Sequence, residues 1–120
     1  MAANQSKNSM GITVNVKGTG HKNFDGSNRR HIIRRYVREN ILVTLRRDTY
    51  NSNTVAIYVL APRVFGLLGS TLKQIGYIDE ASSKRIAKIM NTGGSLTGRV
   101  GCLYAPPEKK DPIVRLELWI

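Results

Sequence analysis

Apolar residues in this chain come in short runs, and nearly every run ends at a turn. ITVNV (12–16) alternates apolar and polar, as a half-buried strand does. ILVTLRRD (41–48) and TVAIYVLA (54–61), joined by the tight turn TYNSN, read as the two arms of a hairpin. QIGYI (74–78) is a further short strand, and TGRVGCLYA and PIVRLELWI close the chain around the exposed turn PPEKKD. Two segments break this pattern with helical spacing. In RRHIIRRYVR, Ile32, Ile33, Tyr36 and Val37 recur at a helical interval, with Asp25, Ser27 or Asn28 available as the cap and Asn40 suited to a left-handed exit. In DEASSKRIAKIMN, Asp79 caps, Ser82, Ile86, Ile89 and Met90 share a face, and Gly93 and Gly94 end the helix. Five or six strands, two helices and no repeat point to a mainly β (α+β) domain, a small and strongly curved sheet or barrel. Residues 1–10 are polar and small and read as a flexible lead-in; residues 11–120 form one domain, long enough for a core without disulfides or metals.

Charge narrows the choice of partner. The chain carries a formal +11, with a pI near 10.3. Seven arginines against one acid, Glu39, give the segment from Arg29 to Arg47 a formal +6. A helix over that segment buries one face and presents Arg30, Arg34, Arg35 and Arg38 on another. Guanidinium groups pair bidentately with phosphate oxygens and stack on bases, so nucleic acid is the first partner to consider. Arg46 and Arg47 follow on the next strand, where alternation sends them to opposite sides. Tyr50 and Tyr77 are candidates for stacking on unpaired bases, and the amides of Asn51 and Asn53 suit a sugar hydroxyl or a base edge. Tyr36 and Tyr58 fall on apolar faces and read as core. Lys84, Arg85 and Lys88 read as a solvated helix face.

Catalytic signals are sparse. There are eight carboxylates and two histidines, with no acidic cluster of the kind that two-metal nucleases use. His21, His31 and Cys102 lack metal-ligand spacing, and no CxxC occurs. Cys102 lies in an expected strand and reads as a small core residue; standing alone, it excludes an internal disulfide and fits a reducing compartment. The GTG at residues 18–20 is not followed by phosphate-loop spacing. No enzyme activity, metal or cofactor is expected. The start lacks the apolar stretch of a secretion signal, and no apolar run is long enough to span a bilayer, so no membrane role is expected and the location reads as cytoplasmic (nucleoid-associated, host cytoplasm if viral, nuclear if eukaryotic).

PRVFGLLGSTLK (62–73) is an apolar loop bounded by proline and glycine. Its Val64, Phe65, Leu67, Leu68 and Leu72 fold over the open end of a barrel, form a patch for a partner or for self-association, or, as a third option, wedge into a nucleic-acid junction.

Read in order, FDGSNRRHIIRRYVREN, ILVTLRRD, the asparagine turn, VAIYV, IGYID and the helix through Ala81 and Ala87 resemble a HIRAN domain. The resemblance runs from about Ile12 to the C-terminus and is strongest over Val43 to Asp48, Ala56 to Val59 and Ile75 to Ile78. It implies a modified OB-like barrel with two helices. In fork-remodelling ATPases such a module grips the 3′ end of single-stranded DNA, and stand-alone copies occur in bacteria and phages. By position, Arg30 or Arg29 matches the family's early arginine and Arg47 the arginine after the strand leucine. Asn51 and Asn53 fall where the family contacts the terminal sugar, Tyr77 where it approaches the phosphate, and Tyr104 where it places a stacking aromatic. The family's Asn-Pro-Tyr-Asp turn is here YNSNT, one residue shorter and without the carboxylate that would accept from a free 3′ hydroxyl. Asp79 and Glu80 stand where the family can carry lysines.

These features converge on a non-catalytic module that binds single-stranded DNA or DNA ends and junctions through its arginine-rich face, with 3′-end recognition as a refinement. The alternatives are a protein-interaction factor, for example phage-encoded, that docks on an acidic host protein through the 62–73 loop, and an RNA-binding structural protein.

Overall fold

The computed structural model describes residues 11–47, 54–62, 69–92, 96–105 and 111–119, with the backbone alone at 62. Six strands form a closed antiparallel barrel: β1 (Ile12–Lys17), β2 (Leu42–Arg47), β3 (Val55–Pro62), β4 (Ser70–Ile78), β5 (Thr97–Tyr104) and β6 (Ile113–Trp119). Around the barrel the order is β1-β4-β3-β2-β5-β6. The hairpin expected from residues 41–61 is β2–β3, in register from Thr44↔Tyr58 to Arg47↔Val55. Closure follows from β1, which pairs with β6 along most of its length and with β4 at Val16↔Ile78 and Lys17↔Tyr77. Alternation turns Val14, Val16, Val43, Val55, Ile57, Val59, Val114, Leu116 and Leu118 inward to fill the barrel.

Helix α1 (Arg29–Tyr36) starts at Asn28, whose side chain accepts from the amides of Arg30 and His31, and buries Ile32 and Ile33. It is shorter than its periodicity suggests. Val37 is extended (φ −88°, ψ 132°) and fully buried, so its side chain joins the core only by leaving the helix. Arg38 therefore lies beyond the helix, where its Nη1 donates to the carbonyls of Arg34 and Val37. Asn40 is left-handed as expected (φ 74°), and its amide donates to Val100 of β5.

Helix α2 (Glu80–Asn91) is capped by Asp79, which accepts from the Ser82 amide through Oδ1 and from the Asn15 amide of β1 through Oδ2. Partial burial opposes ionisation of Asp79, but these amide hydrogen bonds outweigh it and hold the carboxyl below its ordinary range. The inward face is rotated from the sequence expectation: Ser83, Ile86 and Ala87 are buried, with Met90 packed at the edge. The rotation places the Ser83 hydroxyl where it accepts from the Val55 amide at 3.0 Å, at the start of β3. Thr92 closes the helix by donating its hydroxyl to Lys88 and Ile89; Gly93 and Gly94 lie outside the described residues.

Other expectations are corrected by register. β4 begins at Ser70, so Leu72 belongs to a strand opposite Leu60 rather than to a loop. In β5 the pairing slips between Val100 and Cys102, leaving Gly101 as an extra residue. The slip reverses the alternation, so Cys102 points outward and is exposed while Leu103 packs against the core. Tyr58 is half-buried on the outside of the barrel beneath Arg46, whose guanidinium carbon lies 5.4 Å from its ring centroid. It is not core, because Ile57 and Val59 already take the inward positions. Tyr36 does pack against the core.

Candidate nucleic-acid interface

Where β1 ends, Lys17 faces Tyr77 across the short β1–β4 ladder. A second irregularity makes this possible. β4 carries an extra residue at Ile75, between the pairs Ile57↔Gly76 and Tyr58↔Gln74. A Cβ on Gly76 would collide with the Lys17 carbonyl oxygen and the Val16 side chain, so glycine lets β1 approach. Gly18 then turns the chain with positive φ (77°) into a loop that leads to α1.

Arg29, the first residue of α1, lies under this junction and is only 5% exposed. Its Nε donates to Asn23 Oδ1 at 2.7 Å and its Nη1 to the Gly18 carbonyl at 3.0 Å. Its guanidinium carbon stands 5.2 Å from the Tyr77 ring centroid. Among the described residues these partners are all neutral. A buried cation held without a carboxylate is electrostatically costly, and a bound anion relieves that cost.

Two open recesses are lined by the neighbours of Arg29, one by Gly18 and the other by Tyr77. One, of about 530 Å³, is lined by Lys17, the loop from Gly18 to His21, Arg30 and Asp111. The other, of about 430 Å³, lies between Lys17, Thr54, Tyr77 and the first turn and a half of α2, including Glu80, Ser83 and Lys84. Lys17 lines both, so the two recesses border on its side chain from either side. Arg30 reaches the Gly20 carbonyl through Nη2 at 3.4 Å and approaches Asp111 Oδ1 through Nε at 3.6 Å. Its side chain is 39% exposed and that of Asp111 66%, so the ion pair is weak and an arriving phosphate can compete with it. The Thr19 hydroxyl, buried and donating to Pro112, ties the loop to the start of β6. Lys17, Arg30 and Lys84 over Arg29, against Glu80 and Asp111, leave a net positive lining.

The residues singled out from sequence divide. Arg29, Arg30 and Tyr77 come together around the Gly18 loop. Arg34 and Arg35 lie further along α1; Arg34 is half-buried, and Arg35 is exposed, 5.7 Å over the ring of its neighbour Tyr36. Arg47 is exposed and donates to Asn91 at the far end of α2. Tyr104 is exposed at the end of β5 opposite Ile113 and lines neither recess. Tyr50, Asn51 and Asn53 lie outside the described residues, as do Val64, Phe65, Leu67 and Leu68. Thr54, the residue after Asn53, lines the second recess.

Sequence reasoning missed Lys17, His21 and Thr54 as lining residues and took Lys84 for solvated surface. No local pattern marks them, because strands distant in sequence bring them together. Among the described residues no three of His, Cys, Asp and Glu gather as metal ligands, and no helix is long and apolar enough to cross a membrane.

No family model matches the chain, and no curated protein matches it in sequence. Solved structures do match in shape. A crystal structure of a protein from Lactobacillus plantarum superposes with a TM-score of 0.63 at 21% identity, over 92% of this chain and 95% of that one. The crystal structure of the HIRAN domain of human HLTF superposes with a TM-score of 0.55 at 16% identity, over 91% of this chain and 74% of that one. The chain therefore has a HIRAN-like fold.

Proposed function

We propose that this domain is a non-catalytic DNA-binding module that holds a single strand, or the single-stranded part of a DNA end or junction, in the recesses around Lys17 and Tyr77. The observation that carries the reading is Arg29: a guanidinium buried against Gly18 and Tyr77, which line the two recesses, and held among the described residues by neutral groups. The HIRAN-like fold and the net charge of +11 support it. Lys17, Arg30 and Lys84 take the phosphates, with Arg34 and Arg35 extending the path along α1. Tyr77, which lines the second recess, takes a base or sugar. Arg47 adds a phosphate contact, and Tyr50, Asn51 and Asn53 contribute stacking and sugar or base contacts, as their residue types suggest.

Recognition of a 3′ end is the finer part of the proposal. The recess beside Thr54 contains Glu80, which repels a terminal phosphate but accepts from a terminal hydroxyl. Titrating one labelled oligonucleotide as DNA with a free 3′ hydroxyl, as DNA with a 3′ phosphate, and as RNA tests both levels. The expected order is free 3′ DNA tightest, 3′-phosphorylated DNA weaker, and RNA weakest. Equal affinity for the two DNA ends removes end recognition and leaves strand binding; tighter binding of RNA overturns the choice of DNA.

A further inference from the structure

Phe24 is as exposed as a side chain can be, at 109% of its reference area, and the loop that carries it is built to keep it so. Residues 22–28 form a miniature hairpin: Lys22 bridges Asn28, the Asn23 amide donates to the Ser27 carbonyl, and the Gly26 amide donates back to Asn23. Gly26, with φ +88°, makes the tight return. A side-chain chain of hydrogen bonds runs through the turn, from Asn23 Nδ2 to Ser27 Oγ and from Ser27 Oγ to Asp25 Oδ1 at 2.6 Å. The hydroxyl and amide of Ser27, then Lys73, hold the Asp25 carboxyl well below its ordinary range. Both flanks are fastened to the barrel. Asn23 also donates to the Gln74 carbonyl at 2.9 Å and accepts from Arg29, and Lys73 of β4 grips Asp25 at 2.9 Å.

A phenylalanine on a loose loop folds back and buries its ring, because apolar burial is worth about 1.5–3 kcal/mol. Here the anchored turn prevents collapse and presents the ring already ordered, so a ligand that covers it pays little in lost freedom. Charge selects the ligand. Exposed Lys22 precedes the ring in a chain of net charge +11, and Asn23 links the ring's own turn to Arg29 and hence to Tyr77. The turn that carries the ring and the Tyr77 side of the cationic site are therefore joined through Asn23 and Arg29. A planar aromatic group beside a phosphate chain is a nucleobase. A ring projecting clear of the surface reaches both faces of an opened step, whereas a flush platform would reach one.

We propose that Phe24 is a wedge that packs against the terminal base pair where a bound strand leaves a duplex, so that the preferred ligand is a duplex with a single-stranded tail rather than a free strand. This rests on the DNA-binding reading above. The test compares wild type, Phe24→Ala and Phe24→Trp by fluorescence anisotropy on a tailed duplex, a blunt duplex and the tail strand alone. 2-Aminopurine at the duplex boundary reports stacking. Wild type is expected to favour the tailed duplex and to change the 2-aminopurine signal. Phe24→Ala should bind that ligand about tenfold more weakly, the scale of one lost aromatic–base stack, with affinity for the single strand unchanged, and Phe24→Trp should restore it. An unchanged preference in Phe24→Ala overturns the wedge and leaves strand binding intact. If wild type binds none of the three DNAs, the DNA reading itself fails and the wedge with it. A parallel arm with phosphatidylserine vesicles covers a membrane role: Phe24-dependent vesicle binding without any effect on the tailed duplex also overturns the proposal.

Discussion

The two ends of α1 carry the same residue type and treat it differently. At the N-terminal end, Arg29 is buried under a glycine turn and against Tyr77, and Arg30 is drawn toward Gly20 and Asp111. At the C-terminal end, Arg35 lies over its own neighbour and Arg38 folds back onto the last carbonyls. Arginines held by the loop from Gly18 to Asn23 and by Tyr77 of β4 are pre-organised for a ligand, whereas those whose contacts lie along α1 and its exit remain solvated. Charge counted along the sequence does not distinguish the two. The barrel does, because the β1–β4 junction rises beside one end of the helix.

The comparison is broken most severely at Arg29. Replacing it with alanine strands the Asn23 and Gly18 acceptors, and the expected cost is about 2–4 kcal/mol, read as a lower urea midpoint. Arg29→Lys keeps the charge but not the fork, and should recover part of that loss. Unchanged stability in Arg29→Ala would mean that the buried guanidinium is not structural.

Next come the recesses themselves. Lys17→Ala combined with Lys84→Ala should lower the logarithmic salt slope for single-stranded DNA by about 1.4, at about 0.7 per phosphate contact. Arg35→Ala sharpens the contrast from the other end: stability should stay within about 0.5 kcal/mol of wild type. Its salt slope should fall less than that of Arg30→Ala; an equal or larger fall would extend the binding surface along the whole helix.

The smallest effect concerns pH. The Asp79 carboxyl is held below its ordinary range in the folded state, so the stability it contributes is present above the unfolded carboxylate pKa of about 3.9 and is lost as pH falls below it. Asp79→Asn keeps one acceptor for the Ser82 amide but turns an NH2 toward the Asn15 amide, so it should lower stability modestly near neutral pH and flatten the acid limb of the stability curve. A wild-type acid limb in that variant would assign the titration to other groups.

Much of this architecture can be read locally. Alternation marked the strands, Asp79 announced its helix, Asn28 was one of three cap candidates for the other, and Asn40 took the left-handed position its side chain tolerates. What escaped is what depends on partners distant in sequence. The slip at Gly101 that turns Cys102 outward is a matter of register between β5 and β6. Val37 leaves the helix because the core accepts it, against its periodicity. The recesses are harder still, since Lys17, Tyr77 and Lys84 belong to three elements and meet only through the close approach at Gly76. Of the expected site, the arginines at the start of the helix and Tyr77 were visible in the sequence, and the lysines that complete the lining were not.

Amide chemical-shift mapping with a short single-stranded DNA locates the ligand most directly. The account predicts the largest shifts at Lys17, Gly18, His21, Thr54, Tyr77 and Lys84. Shifts confined to Arg99, Arg115 and Trp119 on the outer face of β5 and β6, with the first set unmoved, would contradict it.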